Sequence, residues 1–331
     1  MASMAESNYD SEHTMECGEA PEYGNALSTA RRSMAEDRYG NLPGLPRLEY
    51  NLMDHKLKLF VVSGLLICEG SVLPLILFYP LWFATTLRHG ILFAIITSFF
   101  GLVSGLEFAH RSWRLIHKND KYRPLDGKRW RFDFTHWTLS ICYTIMTGIL
   151  IGASIPHEPL IRPLSIPVPL FFIGAGMLCV VTGTMSALKM KTACKVSSIP
   201  KGEPQPPYVL TAVEDVVGVD GGGARPFRRR LLERYKASKA FRRLIAELNW
   251  FWGIGSVVSG AGILAAIWVI PQEEIVYGVG WGAPLVFFTI WTWITVLWTR
   301  RGLRREKMLW GAETREKCSM MDSSTDTPNT K

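Results

Sequence analysis

The sequence predicts an all-α integral membrane protein, a bundle of six transmembrane helices with both termini in the cytosol. Three observations support this fold class. The 331 residues are 48% hydrophobic, and the hydrophobic residues fall into six long blocks rather than short alternating runs. Many of the twelve Trp and sixteen Phe residues stand near block ends, as in the aromatic belts of membrane interfaces. The basic residues are concentrated in alternate loops.

Each apolar block is long enough to cross about 30 Å of hydrocarbon as a helix. The blocks cover residues 59–87, 91–108, 134–155, 164–188, 250–270 and 279–298. Residues 1–50 are rich in Ser, Glu, Gly and Pro, which predicts a disordered cytosolic arm. The predicted organisation continues with helices 1–4 over 51–190, a cytosolic loop over 191–248, helices 5 and 6 over 249–300, and a basic, then disordered tail over 301–331.

The basic residues predict which helix ends face the cytosol. Only Arg88 and Arg162 lie in the loops after the first and third blocks, and the loop after the fifth block has no Lys or Arg. All other Lys and Arg residues lie in the amino-terminal arm, the 109–133 loop, the 189–249 loop and the tail. Because cytosolic loops carry the excess of Lys and Arg, both termini and the two long loops are expected in the cytosol.

The loop between the fourth and fifth blocks has two parts. Residues 199–226 are rich in Pro and Gly but contain an apolar piece, Tyr208 to Val219, that we expect to pack on the membrane-facing core. Over 227–248, apolar residues recur at helical spacing among many Lys and Arg. They are Phe227, Leu231, Tyr235, Phe241, Ile245 and Leu248. This pattern predicts a basic amphipathic helix on the anionic lipid headgroups; a partner- or anion-binding face is the alternative.

Small residues at helical spacing predict where the membrane helices pack closely. The pairs are Gly101 with Gly105, Gly148 with Gly152, and Gly255 with Ser259. Such spacings allow two helix backbones to approach in lipid.

One carboxylate, Glu69, interrupts the first block. A charge at mid-membrane depth costs about 2.5–3.5 kcal/mol on insertion scales, so Glu69 needs a partner or a function. Pro74 cannot bond the carbonyl of Gly70, which predicts a kinked, partly unsatisfied backbone beside Glu69. The residues at the same depth are Ser98, Tyr143, Thr144 and Ser259. We therefore expect a small polar pocket with Glu69 as proton donor; a neutral carboxyl that serves packing alone is the alternative.

A second group of charged residues lies at the cytosolic ends of helices two and three. Its members on helix two share one face, and facing helices would bring them onto Asp133 and His136. Such a group would bind an anionic headgroup or a diphosphate, and the alternative is an interfacial salt-bridge lattice. Our catalytic candidates are Glu69, His110, Asp133 and His136. The substrate-binding candidates are Glu107, Arg111, Arg114, Arg129, Arg131, Tyr143 and Thr144.

No cofactor or metal is expected from the motifs. The six Cys contain no CxxC pair, and the seven His lack the boxes of di-iron desaturases and the paired positions of membrane haem proteins. Asp220 with Gly221 to Gly223 matches neither a Walker loop nor a dinucleotide motif and predicts a hinge. The net charge of +8 sits beside apolar blocks, so nucleic acid is not an expected partner.

Three segments together resemble one family. YRPLDGKRWRFDFTHW (122–137), EDVVGVDGGGARPFRRRLLERYKASKAFRRL (214–244) and WFWGIGS (250–256) are similar, in this order, to a largely uncharacterised family of multi-pass integral membrane proteins of filamentous fungi. Some members are encoded in secondary-metabolite gene clusters. The resemblance covers about residues 50–310. It implies a protein of the endoplasmic reticulum or another endomembrane, with other membrane-bound biosynthetic enzymes as partners, and it transfers no catalytic residues.

Three functions stay open on the sequence, and whether the chain is an enzyme is undecided. The leading hypothesis is an accessory component of a fungal secondary-metabolite pathway. The second is a cyclase-like enzyme acting on a lipophilic isoprenoid or polyketide intermediate, with Glu69 as proton donor. The third is a small-solute or proton transporter that uses Glu69 as a relay.

Overall fold

The computed structural model describes residues 45, 46, 48, 72–86, 88–117, 121–125 and 132–325, with side chains described as far as residue 314. These residues form helices; the only β-pairing among them is two isolated bridges in the 191–204 loop. The helices are α1 (Leu73–Ala84), α2 (His89–His117), α3 (Phe134–Ser154), α4 (Ile161–Leu164), α5 (Pro167–Ala187), α6 (Tyr208–Asp215), α7 (Ala224–Ala237), α8 (Lys239–Val269) and α9 (Glu273–Thr325). A π-helical turn, Val216–Asp220, follows α6.

Five helices are long and apolar enough to cross a membrane: α2, α3, α5, α8 and the part of α9 up to Thr314. Many of their large apolar side chains point outward; Leu106 is 63% exposed and Val258 65%. An outer surface this apolar is unfavourable in water and suits lipid. The all-α class and the membrane-length helices are thereby confirmed, with five such helices in the described residues where six blocks were predicted.

The first predicted block is described only in part. Its carboxyl-terminal portion forms α1, which has 12 residues and is shorter than a full span. Pro74 lies in the first turn of α1, where a missing amide costs no helical hydrogen bond. Residues 59–71, and with them the predicted kink beside Glu69, lie outside the described residues.

Helix α8 packs along α5 and α9. A Cβ atom added to Gly176 would lie 2.8 Å from the carbonyl oxygen of Gly253, and one added to Gly260 would lie 2.8 Å from that of Pro169. The backbones of α5 and α8 therefore approach as closely as glycine permits.

The glycine pairs predicted from spacing are placed differently. Four of these glycines have no close neighbour, since a Cβ atom added to them would meet no described atom within 4 Å. They are Gly101, Gly105, Gly148 and Gly152. Gly255 does make a close contact, with the indole of Trp291. Spacing identifies helix faces that would permit close approach, but it does not identify which of those faces meets a neighbour.

The two ends of the bundle are held by different contacts. At one end, the guanidinium of Arg162 donates to the carbonyls of Ile267 and Ile270 at the end of α8. Trp281 donates from Nε1 to the carbonyl of Leu164 at 3.2 Å. At the other end, α2, α3, α8 and α9 meet the segment 190–238, which we call the cap segment.

The apolar face over 227–248, which was predicted to lie on lipid, has buried side chains that pack on protein. The predicted single helix over 227–248 is divided at Ser238, whose hydroxyl accepts from the amide of Phe241 at 3.1 Å and caps α8. The apolar side chains on both sides of this break are buried together with Leu210 of α6: Phe227, Leu231, Phe241 and Ile245. This apolar face is therefore not free to enter a lipid leaflet. The expected packing of the piece from Tyr208 to Val219 is confirmed, because Leu210 and Val219 are fully buried.

The predicted tail is helical. Helix α9 continues from the last apolar block through Thr325. Its Glu306 is buried and accepts from Nε and Nη2 of Arg234 at 3.1 and 2.7 Å. The tail predicted over 301–331 is therefore helical up to residue 325, and its basic part packs on α7 through Glu306.

The glycine contact between α5 and α8 gives a matched test. We expect Gly176→Ala to destabilise the protein by about 1–3 kcal/mol, since the new methyl group would overlap the backbone of Gly253. Gly174→Ala is the control, because a Cβ at that position of the same helix meets no described atom within 4 Å. Thermal unfolding of the purified chain in detergent measures both. Equal melting temperatures for the two variants would contradict the close approach.

Candidate functional site

Arg228 of α7 is fully buried among three carboxylates. Its Nη1 donates to Oε1 of Glu214 at 2.9 Å and to Oδ1 of Asp215 at 2.6 Å. Its Nη2 lies 3.5 Å from Oδ2 of Asp133. The side chains of the three acids are at most 1% exposed. A guanidinium group has the donors to meet several carboxylates at once, so Arg228 connects α7 to the end of α6 and the start of α3.

Asp133 fixes the first turn of α3. Its Oδ1 accepts from the amide of His136 at 2.7 Å, an N-cap bond, and its Oδ2 accepts from Nη2 of Arg111 at 2.8 Å. A carboxylate at this position also interacts favourably with the helix dipole. Arg111, near the end of α2, makes a second ion pair with Asp220 of the π-helical turn. Asp133 therefore links α2 and α7 to the start of α3.

Asp215 has a full set of donors around its second oxygen. Its Oδ2 accepts from the amide of Thr135 at 3.1 Å, from the hydroxyl of Thr135 at 2.8 Å and from the hydroxyl of Ser197 at 2.6 Å. These bonds offset part of the cost of burying the charge. They also fix the 190–207 loop against the start of α3.

We call this group the ion cluster: Arg111, Asp133, Glu214, Asp215, Asp220 and Arg228. It holds four carboxylates and two guanidinium groups, so acid is in excess. Burial, followed by the neighbouring charge of Asp215, raises the pKa of Glu214 to about 7 against the opposing effect of Arg228. Burial, followed by the charge of Asp133, also raises the pKa of Asp215. Oε2 of Glu214 is buried and has no hydrogen-bond partner among the described residues. Glu214 is therefore the member of the cluster that takes up a proton near neutral pH.

The structure brings part of the predicted charged group together. The expected contact between helix two and Asp133 is present, through Arg111. Arg114 borders the cluster and donates to the carbonyl of Val219 at 3.1 Å. Glu107 is half-buried, whereas His110 is exposed on another face of α2. Their spacing did not place them on one face, because the adjacent residues His110 and Arg111 point about 100° apart around the helix axis, so that one lies outward and the other inward.

His136 is buried between two aromatic rings. Its imidazole stacks on Phe108 and on Phe132, with both ring centroids 4.4 Å away. Only its backbone amide contacts Asp133 in the N-cap bond. The arrangement gives His136 a packing role in joining α2 to α3. The imidazole is buried, so its accessibility does not support the predicted acid–base role.

The predicted pocket around Glu69 is not assembled by the described residues. Thr144 is exposed, and its hydroxyl donates to the carbonyl of Ser140 at 2.8 Å within α3. Ser98 is also exposed. Tyr143 is half-buried and lies edge-on to Phe108 at 6.3 Å. Glu69, Arg129 and Arg131 lie outside the described residues, and the roles assigned to them stay predictions.

Sequence reasoning missed Glu214, Asp215 and Arg228 and interpreted Asp220 as part of a hinge. A usable signal was present. Glu214 and Asp215 are two acids inside the apolar piece that was expected to be buried. Buried carboxylates require cationic partners, and the neighbouring segment offers Arg228 among three consecutive arginines. The sequence could raise this question but could not select which arginine turns inward.

These contacts define an all-α protein with membrane-length helices whose ends on one side are joined by buried ion pairs. The chain belongs to the family described as Domain of unknown function (DUF8766), which matches residues 34–310. The match includes every member of the ion cluster. No curated protein and no solved structure matches the chain.

The central position of Arg228 predicts a large loss of stability on its removal. We expect Arg228→Met to destabilise the protein by about 3–5 kcal/mol, because three buried carboxylates lose their shared partner. The adjacent Arg229 is exposed, so Arg229→Met is the matched control. Thermal unfolding in detergent compares the two. A variant at 228 that melts with the control would show that the cluster is not formed.

Excess acid in the cluster predicts a dependence of stability on pH. The folded pKa of Glu214 is about 7 and its ordinary value is 4.5, so the folded state holds a proton that the unfolded state releases. The resulting stabilisation is fully present below the ordinary value and is lost as pH rises through the folded value. We expect the melting temperature to fall between about pH 5 and about pH 8, and Glu214→Gln to reduce this fall.

The facing charged groups in that experiment are Asp133, Asp215, Asp220, Arg111 and Arg228. Glu233→Gln changes an exposed carboxylate of α7 and serves as control. A pH profile of the Glu214 variant that parallels those of the wild type and the control would refute the assignment.

Proposed function

We propose that the chain is a six-span protein of the endoplasmic reticulum or another endomembrane, with both termini in the cytosol. The first span would comprise residues 59–71 together with α1. The distribution of basic residues supports this topology. So do the contacts, since the helix ends next to the basic segments meet at one end of the bundle through Arg111 with Asp133 and Arg234 with Glu306. If the basic segments were only exposed linkers, these helix ends would not have to lie on the same side of the membrane.

We further propose a non-catalytic, accessory role beside membrane-bound enzymes of a fungal secondary-metabolite pathway. The observation that carries the non-catalytic part is the burial of Asp133, Glu214, Asp215 and Arg228 within the ion cluster. Asp133 is 0% exposed and is held by Arg111 and Arg228. A general acid or base must come within hydrogen-bond distance of a substrate, and a carboxylate with no exposed surface cannot do so. The pathway association is drawn from the family resemblance of the three sequence segments.

The accessory role predicts the metabolic effect of removing the protein. Deletion of the gene, followed by untargeted metabolite profiling, should lower the titre of an end product and displace partner enzymes without accumulation of one intermediate. Re-expression of Glu69→Gln at normal protein level should restore the profile. Accumulation of a single intermediate that the Glu69 variant cannot relieve would favour the enzyme. Loss of export with intact intracellular product would favour the transporter.

The topology can be tested with single cysteines in sealed microsomes. We expect Lys201→Cys, in a cysteine-free background, to react with a membrane-impermeant maleimide on intact vesicles, because its loop would face the cytosol. His157→Cys lies in the loop after α3, which is also exposed, and should react only after detergent is added. Protection of the residue at 201 in intact vesicles would overturn the proposed orientation.

A further inference from the structure

A cleft of about 600 Å³ opens beside the cap segment, away from the ion cluster. Its walls come from the end of α5, the proline-rich loop 204–207, the end of α7 and the first turns of α8. Helix α5 ends at Ala187, and the apolar block of α8 begins at Trp250. The cleft therefore lies where two membrane-length helices pass from apolar to basic sequence.

The outer part of the cleft is basic. Its cationic side chains are Lys189, Lys236, Arg242 and Arg243, and none of the described lining residues is acidic. Arg242 is positioned by the carbonyls of Tyr235 and Lys236, to which its Nη1 donates at 3.0 and 2.6 Å. Arg243 pairs with Glu247 at 2.9 Å, but this pair is exposed and competes weakly with a bound anion. The opening thus concentrates positive charge without an internal counter-ion.

The inner part of the cleft is lined by small and apolar groups. Gly183, Ala246 and the ring of Trp250 form it, together with Asn249. The amide of Asn249 is already satisfied, since its Nδ2 donates to the carbonyl of Cys179 at 2.7 Å and its Oδ1 accepts from the amide of Val209 at 3.2 Å. This floor suits a hydrocarbon chain better than a second polar group.

The backbone of Lys189 adopts a left-handed conformation that glycine adopts more easily than lysine. Its φ is 54°, in the left-handed region, just after the end of α5, where Gly or Asn is usual. Its amide donates to the carbonyl of Ser186 at 3.1 Å, as in an ordinary helix end. Glycine would make the same bond without strain, so the fold gains nothing from lysine here. The strain does place an ammonium group at the opening of the cleft.

We propose that this cleft binds an amphiphile with a net anionic phosphate headgroup, with the phosphate among Lys189, Lys236 and Arg243 and the hydrocarbon chain along Ala246 and Trp250. The division of the cleft into a cationic opening and an apolar floor matches such a molecule at both ends. This moves the expected contact with anionic headgroups from the apolar face of the helix over 227–248 to a defined cavity. The inference does not depend on the accessory role.

Lys189→Gly provides a test in which loss of binding and loss of folding are separate. The full chain, purified in a non-ionic detergent, is titrated with dioleoyl phosphatidic acid, dioleoyl phosphatidylcholine or inorganic phosphate, and binding is followed by native mass spectrometry. We expect phosphatidic acid to bind in preference to phosphatidylcholine, and Lys189→Gly to weaken it about tenfold, the value of one charge-assisted contact. The melting temperature of this variant should be unchanged or higher, because glycine relieves the left-handed backbone.

Two controls remove the same charge outside the cleft. Lys201→Gly is the control for Lys189→Gly. A second variant within the cleft, Lys236→Gln, has Lys239→Gln as its control. The side chains of Lys201 and Lys239 are exposed, and neither lines the cavity. The controls should keep the affinity of the wild type. Equal affinity for the two lipids, or an equal loss in cleft variants and controls, would overturn the site. Displacement of phosphatidic acid by inorganic phosphate at equal concentration would overturn the role of the hydrocarbon chain.

Discussion

The buried contacts of Arg228 are the interaction on which the cap segment depends. One guanidinium group meets Glu214 and Asp215 at the end of α6 and lies beside Asp133 at the start of α3. Replacing such a group of charges by apolar side chains often costs nothing, whereas removing one partner is expensive. The contacts therefore specify an arrangement more than they add stability. By fixing α7, they also position the break at Ser238 and the first turns of α8, which form one wall of the basic cleft.

A binding site usually combines strong charge with access to solvent, whereas in this protein the ion cluster and the basic cleft differ in these two properties. The cluster has strong charges that are buried except at Asp220, and its excess acid is relieved by the proton that Glu214 holds near neutral pH. The cleft has access but no acid among its described lining residues. A largely buried group of ion pairs is suited to holding helix ends in place. An open cationic cavity at the membrane boundary is suited to binding a ligand. The buried charges of the cluster and the accessible cationic side chains of the cleft thus lie at different places at the same end of the bundle.

Particular residues show how far sequence reasoning reached. The contact between the charged end of helix two and Asp133 was predicted for a group of residues, and the structure selects Arg111 from that group. The apolar face over 227–248 was found from its period, but the side chains that it packs on were not, because periodicity marks a face for burial without saying what covers it. Gly176, Gly253 and Gly260 were missed for a related reason. Spacing shows that close approach is permitted, and only the packing of Gly176 on Gly253 shows where it occurs.

By itself, the sequence determined the helical class, the membrane-length blocks and the separation of basic from neutral loops. These features depend on local composition and on the thickness of hydrocarbon that a helix must cross, so they can be found without knowing any neighbour. Only the tertiary structure decided which charges are partners, and hence that Arg228 turns inward beside an exposed Arg229. The physical reason is that arginines in one segment have the same intrinsic chemistry. Their surroundings differ only after distant segments have come together and excluded water from one of them.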